Sequence, residues 1–174
     1  MNAVDLLQGA LDNAFGILAQ VTGDLTQAQA DAPAPGIANP IGATYWHAVS
    51  GADEVVHRWA QGQAPLAERA GWREKVLTVS APEPHLGGEE YRQYMRTIRV
   101  NLPALHDYAR AVADAIRAWL ASLTPEDLER TVNTPIGEHT LSQMLEVFVI
   151  WHINAHCGEI AALKGCLGVR GYPF

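Results

Sequence analysis

The chain has 174 residues, a formal net charge of -7 at pH 7 and two cysteines. This length most simply makes one domain, residues 1–174, which can bury a core without disulfides or a metal. The acidic balance argues against a nucleic-acid partner, which requires clustered Lys and Arg, and no stretch reaches the ~20 apolar residues of a membrane span. Because the N-terminal stretch also lacks the basic region of a signal peptide, we expect a cytoplasmic protein.

Helical periodicity dominates the first sixty residues. Apolar residues at spacings of three and four predict a first helix from Ala3 to Thr22, with Gly23 as its C-cap. A loop rich in Ala and Pro then leads to a second helix that ends near residues 61–62. For this helix, Asn39 is the predicted N-cap and Pro40 the first helical residue.

The middle of the chain is less regular. Residues 62–88 form a long connection with a short helix or extended piece at its centre. A third helical pattern covers residues 89–122, where Pro103 predicts a kink or a division into two collinear helices. Residues 130–140 favour extended chain with a turn, and the last helix is predicted from Thr140 to Gly165.

Four main helices, with the longest connection between the second and the third, predict an all-α four-helix bundle. The sequence contains no Gly-rich phosphate loop, nucleophile elbow or dinucleotide fingerprint. Any chemistry therefore has to come from side chains on the faces of helices.

The last helix has polar residues in the middle of a face that should be apolar. That face consists of Leu141, Leu145, Phe148, His152, His156, Glu159 and Leu163. A neighbouring line of small residues predicts the close approach of another helix and consists of Ala155, Gly158, Ala162 and Gly165. Burial of unpaired polar groups costs roughly several kcal/mol. A metal ion would offset that cost, because histidines four residues apart can converge on one ion.

Two histidines need a third ligand from another helix. The candidates are His47, His57, His85, His106 and His139. Spacing alone does not choose among them, and a buried polar network without a metal is the alternative. Cys157 follows His156 in the sequence but points about 100° away from it on a helix, so we expect a buried thiol rather than a reactive one.

Two segments resemble the DinB/YfiT-like superfamily: YWHAVSGADEVVHRWAQG, and the ending WHINAHCGEIAALKGCLGVRGYPF. The resemblance covers essentially the whole chain, although the middle third matches only as a helical pattern. It implies a four-helix bundle in up-down-down-up order that is often a homodimer and that binds a metal ion through three histidines. The matching positions are His47 in the second helix and His152 and His156 in the last.

The resemblance also implies a function, because the superfamily includes thiol-dependent transferases and isomerases that use bacillithiol or mycothiol. We therefore predict a metal-dependent transferase or hydrolase that acts on a small thiol or thiol conjugate. Its cofactor would be one divalent ion, Zn or Ni first, with Fe, Mn and Co also suited to three imidazoles. Glu159 is predicted to orient His156 or to act as a general base. The alternative is a non-catalytic stress-response or interaction bundle, with a structural metal or none.

Overall fold

The structure, a computed structural model, describes residues 2–78 and 88–172. Its helices are α1 (Ala3–Thr22), α2 (Gln27–Asp31), α3 (Ile41–Asp53), α4 (Leu66–Arg69), α5 (Trp72–Val76), α6 (Glu89–Thr97), α7 (Leu102–Leu120), α8 (Leu141–Leu145) and α9 (His152–Cys166). A 3-10 turn at Glu126–Glu129 precedes an antiparallel hairpin, β1 (Thr131–Thr134) and β2 (Gly137–Thr140). Two π-helical segments complete the fold: Glu54–Ala60 continues α3, and Glu146–Trp151 joins α8 to α9.

Four long rods form the bundle: α1, α3 with its π-helical extension, α7, and α8–α9. Both α1 and α3 contact both α7 and α9, so the rods close into a ring. Asp12 in the middle of α1 pairs with Arg117 near the end of α7, while Gly23 at the end of α1 lines a cavity with His106 near the start of α7, so these two helices are antiparallel. Lys164 donates to the Val21 carbonyl oxygen, so α9 runs parallel to α1. The predicted four-helix bundle in up-down-down-up order is confirmed.

The predicted bounds of α1 are confirmed, and its start is fixed by a capping box between Asn2 and Asp5. The predicted start of the second helix is wrong by about one residue. Pro40 remains extended (φ -55°, ψ 151°) and α3 begins at Ile41 without a side-chain cap. Asn39 is therefore not the N-cap.

The third helical pattern divides into α6 and α7 rather than forming one kinked helix. Between them Val100 makes an isolated antiparallel bridge with Leu77. Asn101 then caps α7 through its side chain, and Pro103 lies in the first turn. The division follows from Pro103, whose ring would clash with the carbonyl four residues earlier but is tolerated where no N–H is required.

The connection and the hairpin agree with the sequence. The connection contains the predicted short helix as α5, while residues 79–87 lie outside the described part. Strands β1 and β2 pair from Thr131↔Thr140 to Thr134↔Gly137. The side chain of Thr140 then caps α8, so the last rod begins where it was predicted. In the described residues, none of the helices has the length and hydropathy of a membrane span.

The π-helical segments were not predicted, and they change which face of the last rod is buried. One buried row recurs every fourth position and consists of Leu141, Leu145, Val149, Ile153, Cys157 and Ala161, with the buried residues Met144, Ile160 and Lys164 beside it. An ideal α-helix would rotate such a row by about 40° per step, because four residues exceed one turn of 3.6. The wide π-helical turn absorbs part of this rotation and keeps the row on the core.

A buried carboxylate ties the end of α3 to the rest of the bundle. Asp53 accepts hydrogen bonds from the backbone N–H groups of Leu66 (3.0 Å) and Ala67 (2.8 Å) and from the Tyr108 hydroxyl (2.6 Å). Nδ1 of His57 lies 2.6 Å from Oδ1 of Asp53. Burial by itself raises the pKa of Asp53, but hydrogen bonds from His57, Tyr108 and the two amides outweigh it and lower the pKa.

Replacement of Asp53 by Asn should therefore destabilise the fold strongly. The amide would direct N–H groups at donors in a buried site, and loss of one partner of a buried ionic network typically costs about 3–5 kcal/mol. Urea denaturation followed by circular dichroism would measure the change. Asp114→Asn is the matched control, because Asp114 is exposed and pairs with Arg117 at the surface, where the loss should stay below about 1 kcal/mol. Equal losses in the two variants would contradict the structural role of Asp53.

Candidate metal centre

Three imidazoles converge where α3 packs antiparallel against the first turns of α9. Nε2 of His152 lies 3.2 Å from Nε2 of His47 and 3.1 Å from Nε2 of His156. One ring nitrogen from each histidine lies within 4.8 Å of the other two, as binding of a single ion requires. All three side chains are half-buried. The structure thus brings together the three residues that the sequence predicted as metal ligands.

A glycine on α3 makes this convergence possible. Gly51 lies about one turn after His47, directly against the ring of His152. A Cβ atom at position 51 would lie 2.9 Å from Cε1 of His152, which is closer than real contacts allow. The absence of a side chain therefore lets the Cε1 edge of the His152 ring approach α3 closely and reach His47.

The outer ring nitrogens of two histidines have partners that fix the ring orientation. Nδ1 of His156 lies 2.8 Å from Oε2 of Glu159, and Nδ1 of His47 lies 3.2 Å from the Tyr91 hydroxyl. Nδ1 of His152 is buried and has no hydrogen-bond partner in the described chain. Tyr91 was not predicted, because it lies on α6 after the long connection and only the folded chain brings it to His47.

These partners determine whether the inner nitrogen of each ring carries a proton or a lone pair. A carboxylate only accepts hydrogen bonds, so Nδ1 of His156 carries a proton, and in the neutral ring Nε2 presents a lone pair. If Nδ1–H of His47 donates to Tyr91, its Nε2 presents a lone pair as well. Nitrogen lone pairs about 3 Å apart repel one another unless a cation or a proton lies between them. The residues therefore fit a divalent ion.

The electrostatic environment keeps two of these imidazoles neutral. Burial, reinforced by the neighbouring imidazoles, lowers the pKa of His47 to about 4 and that of His152 to about 3. The hydrogen bond from His156 lowers the pKa of Glu159, whose carboxylate is half-buried. At neutral pH the site thus offers two neutral imidazoles, the form that binds metals, beside an ionised carboxylate.

The structure gives the other candidate histidines different surroundings. His57 is buried against Asp53, and Nδ1 of His106 lies 3.2 Å from the Tyr45 hydroxyl. The ring of His139 packs edge-on against Phe148. His85 lies outside the described residues. Within the described chain, His47 is the histidine that joins the pair on α9.

The predicted faces of the last helix need correction. The histidines flank the buried row instead of interrupting it, because the π-helical segment shifts the register. Three members of the predicted close-packing line, Ala155, Ala162 and Gly165, are exposed, and Trp151 beside them is 64% exposed. No helix of the described chain covers this line, and the homodimer stays a prediction.

Cys157 takes no part in the site. It belongs to the buried row, with a relative exposure of 1%. Burial raises the pKa of its thiol to about 12, so the thiol stays protonated at neutral pH. The expected buried thiol is confirmed.

Comparison with known proteins identifies the family and a similar fold. A family model described as the DinB superfamily matches residues 10–160. The fold is similar to that in a crystal structure of a conserved protein from Enterococcus faecalis, with a TM-score of 0.75 and 20% sequence identity over 95% of this chain and 99% of that chain. At this identity the likeness concerns the fold. No curated protein matches the chain.

Replacement of Gly51 by Ala should weaken metal binding without unfolding the protein. The new methyl group would push the His152 ring away from His47, and displaced ligand geometry typically costs about 10–100-fold in metal affinity. Competition with a chromophoric zinc chelator would measure the affinity. Gly16→Ala is the matched control, because a Cβ there meets nothing within 4 Å. Equal zinc affinity in both variants would show that Gly51 does not set the ligand geometry.

Proposed function

The chain belongs to the DinB superfamily, and from this membership and the site geometry we propose that it binds one divalent metal ion through His47, His152 and His156. The observation that carries the proposal is the convergence of three Nε2 atoms, with separations of 3.2 and 3.1 Å from His152 to its two neighbours. Glu159 and Tyr91 support it by directing the outer nitrogens of His156 and His47 away from the centre.

The donor set favours a late first-row ion. Neutral imidazoles suit Zn, Ni, Fe, Mn and Co; affinity for nitrogen sites rises from Mn through Fe and Co to Ni, and Zn is a common ion in histidine sites. Three neutral ligands leave the ion its full charge, and three protein ligands leave room for a further ligand. We therefore propose Zn or Ni with an open coordination position.

We propose that the site serves a transferase or hydrolase reaction on a small thiol or thiol conjugate. A divalent ion held there would supply positive charge that stabilises a thiolate or polarises a carbonyl. The resemblance to thiol-dependent members of the superfamily supports the choice of substrate. Glu159 is ionised beside His156, so it can hold that ring in place and accept a proton from an incoming thiol.

The alternative of a structural metal has less support. The buried row of the last rod and the Asp53 network hold the helices together without contribution from the three imidazoles. Removal of the ion should therefore leave a folded bundle. A bundle that unfolds on chelation would favour the non-catalytic, structural alternative.

Elemental analysis by plasma mass spectrometry would test the metal site. Tag-free protein should contain about one divalent ion per chain, and His47→Ala and His152→Ala should each lose it, because two imidazoles bind weakly. His139→Ala is the control, since this histidine packs on Phe148 away from the site. Absence of metal from the wild-type protein after reconstitution would refute the site.

The role of Glu159 can be separated from metal binding. With a substrate found by screening small thiols and thiol conjugates on the metal-loaded protein, Glu159→Gln should lower kcat/KM by about 10²–10⁴-fold if Glu159 accepts the proton. If Glu159 only orients His156, the variant should mainly lose metal affinity, by about 10–100-fold. Glu146→Gln serves as the control on an exposed position. Metal-loaded protein that is inactive on all thiols would refute the enzymatic part and leave the metal site standing.

A further inference from the structure

A cavity lies between α1, α3 and α7, and none of the three histidines of the candidate metal centre lines it. Its volume is about 310 Å³, at the small end of the ~300–1,000 Å³ typical of ligand pockets. Its apolar wall is formed by Phe15, Leu18, Tyr45, Ala109 and Ala113. Tyr45 lies two residues before His47 on α3, so the two side chains point about 200° apart. The cavity is therefore a separate place on the molecule.

The mouth of the cavity carries nitrogen donors. His106 and Arg110 line it one turn apart on α7, and no lining residue is acidic. Nδ1 of His106 lies 3.2 Å from the Tyr45 hydroxyl, which leaves Nε2 for another partner. The Arg110 guanidinium pairs with Asp107, but the two side chains are 71% and 53% exposed. An exposed pair of this kind contributes little to stability, so the guanidinium can turn towards a ligand.

We propose that this cavity binds a small carboxylic acid with an aromatic or aliphatic body. The apolar wall would hold the body, and the guanidinium would bind the carboxylate through paired N–H donors, the geometry that Arg offers best. The cation at the mouth disfavours amines. A long-chain acid is too large to be fully enclosed in this volume.

Burial and the neighbouring guanidinium lower the pKa of His106. Its imidazole is therefore neutral at pH 7, and Arg110 alone supplies the positive charge at the mouth. His106 would contribute a hydrogen bond from Nε2 when the proton resides there. The tautomer with Nε2–H leaves Nδ1 to accept from the Tyr45 hydroxyl, so the buried tyrosine and the ligand can be satisfied together.

Titration with 3-phenylpropionate, followed by NMR of the labelled protein, would test the proposal. Resonances of α1 and α7 around the cavity should shift and saturate. The neutral analogue 3-phenylpropionamide should bind at least about tenfold more weakly, because it lacks the charge-assisted bond to Arg110. The same titration on His152→Ala protein should give the same affinity, which separates the cavity from carboxylate binding at the metal centre.

Two variants and a matched control complete the experiment. Arg110→Gln should weaken 3-phenylpropionate binding at least about tenfold, and Ala113→Leu should abolish it by filling the cavity. Arg117→Gln is the control, because Arg117 lies two turns further along α7 and also pairs with an aspartate three residues before it. Binding that is absent in the wild type, or unchanged in Arg110→Gln and Ala113→Leu, would overturn the proposal. Neither result would affect the metal site.

Discussion

The antiparallel contact between α3 and α9 is the constraint on which the candidate metal centre depends. At Gly51, which faces the ring of His152, α3 has no side chain. That gap lets His152 approach His47 across the helix pair, and helical spacing then places His156 beside both. The packing of the two helices thus brings the three imidazoles together. Tyr91 and Glu159 then orient the rings of His47 and His156.

The two π-helical segments lie together at one end of this contact and touch each other. Trp59 of one packs edge-on against Phe148 of the other, with ring centroids 6.1 Å apart. Segments of this kind occur often at functional sites, because the wider turn moves a side chain to a position that a regular helix cannot reach. Here the wide turn ends at Trp151, immediately before His152. The core row can therefore continue every fourth residue while the histidines lie beside it, half-exposed and open to a ligand.

The sequence predicts the parts of this fold that have local signals. The starts of α1 and of the last rod, the turn of the hairpin and the break at Pro103 depend on signals within a few residues, and each is confirmed. His152 and His156 are predicted by their spacing. His47 could be chosen over four other histidines only through the resemblance, because the choice depends on how α3 rotates against α9. The π-helical segments have no residue signature, and their omission explains why the predicted faces of the last helix were shifted.

Most residues of α3 are buried, so side chains on nearly every side of this helix contact a neighbouring element. Consecutive residues point about 100° apart, so Tyr45, Trp46 and His47 point in three different directions. Tyr45 faces the cavity beside α7, Trp46 packs on Tyr108 with ring centroids 5.4 Å apart, and His47 faces α9. A few residues on, Asp53 fixes the end of α3 to α4 and α7, which sets the rotation of the helix about its axis. Since one rotation serves all three directions, a change that turns α3 would disturb the metal ligands and the cavity together, although the two sites share no residue.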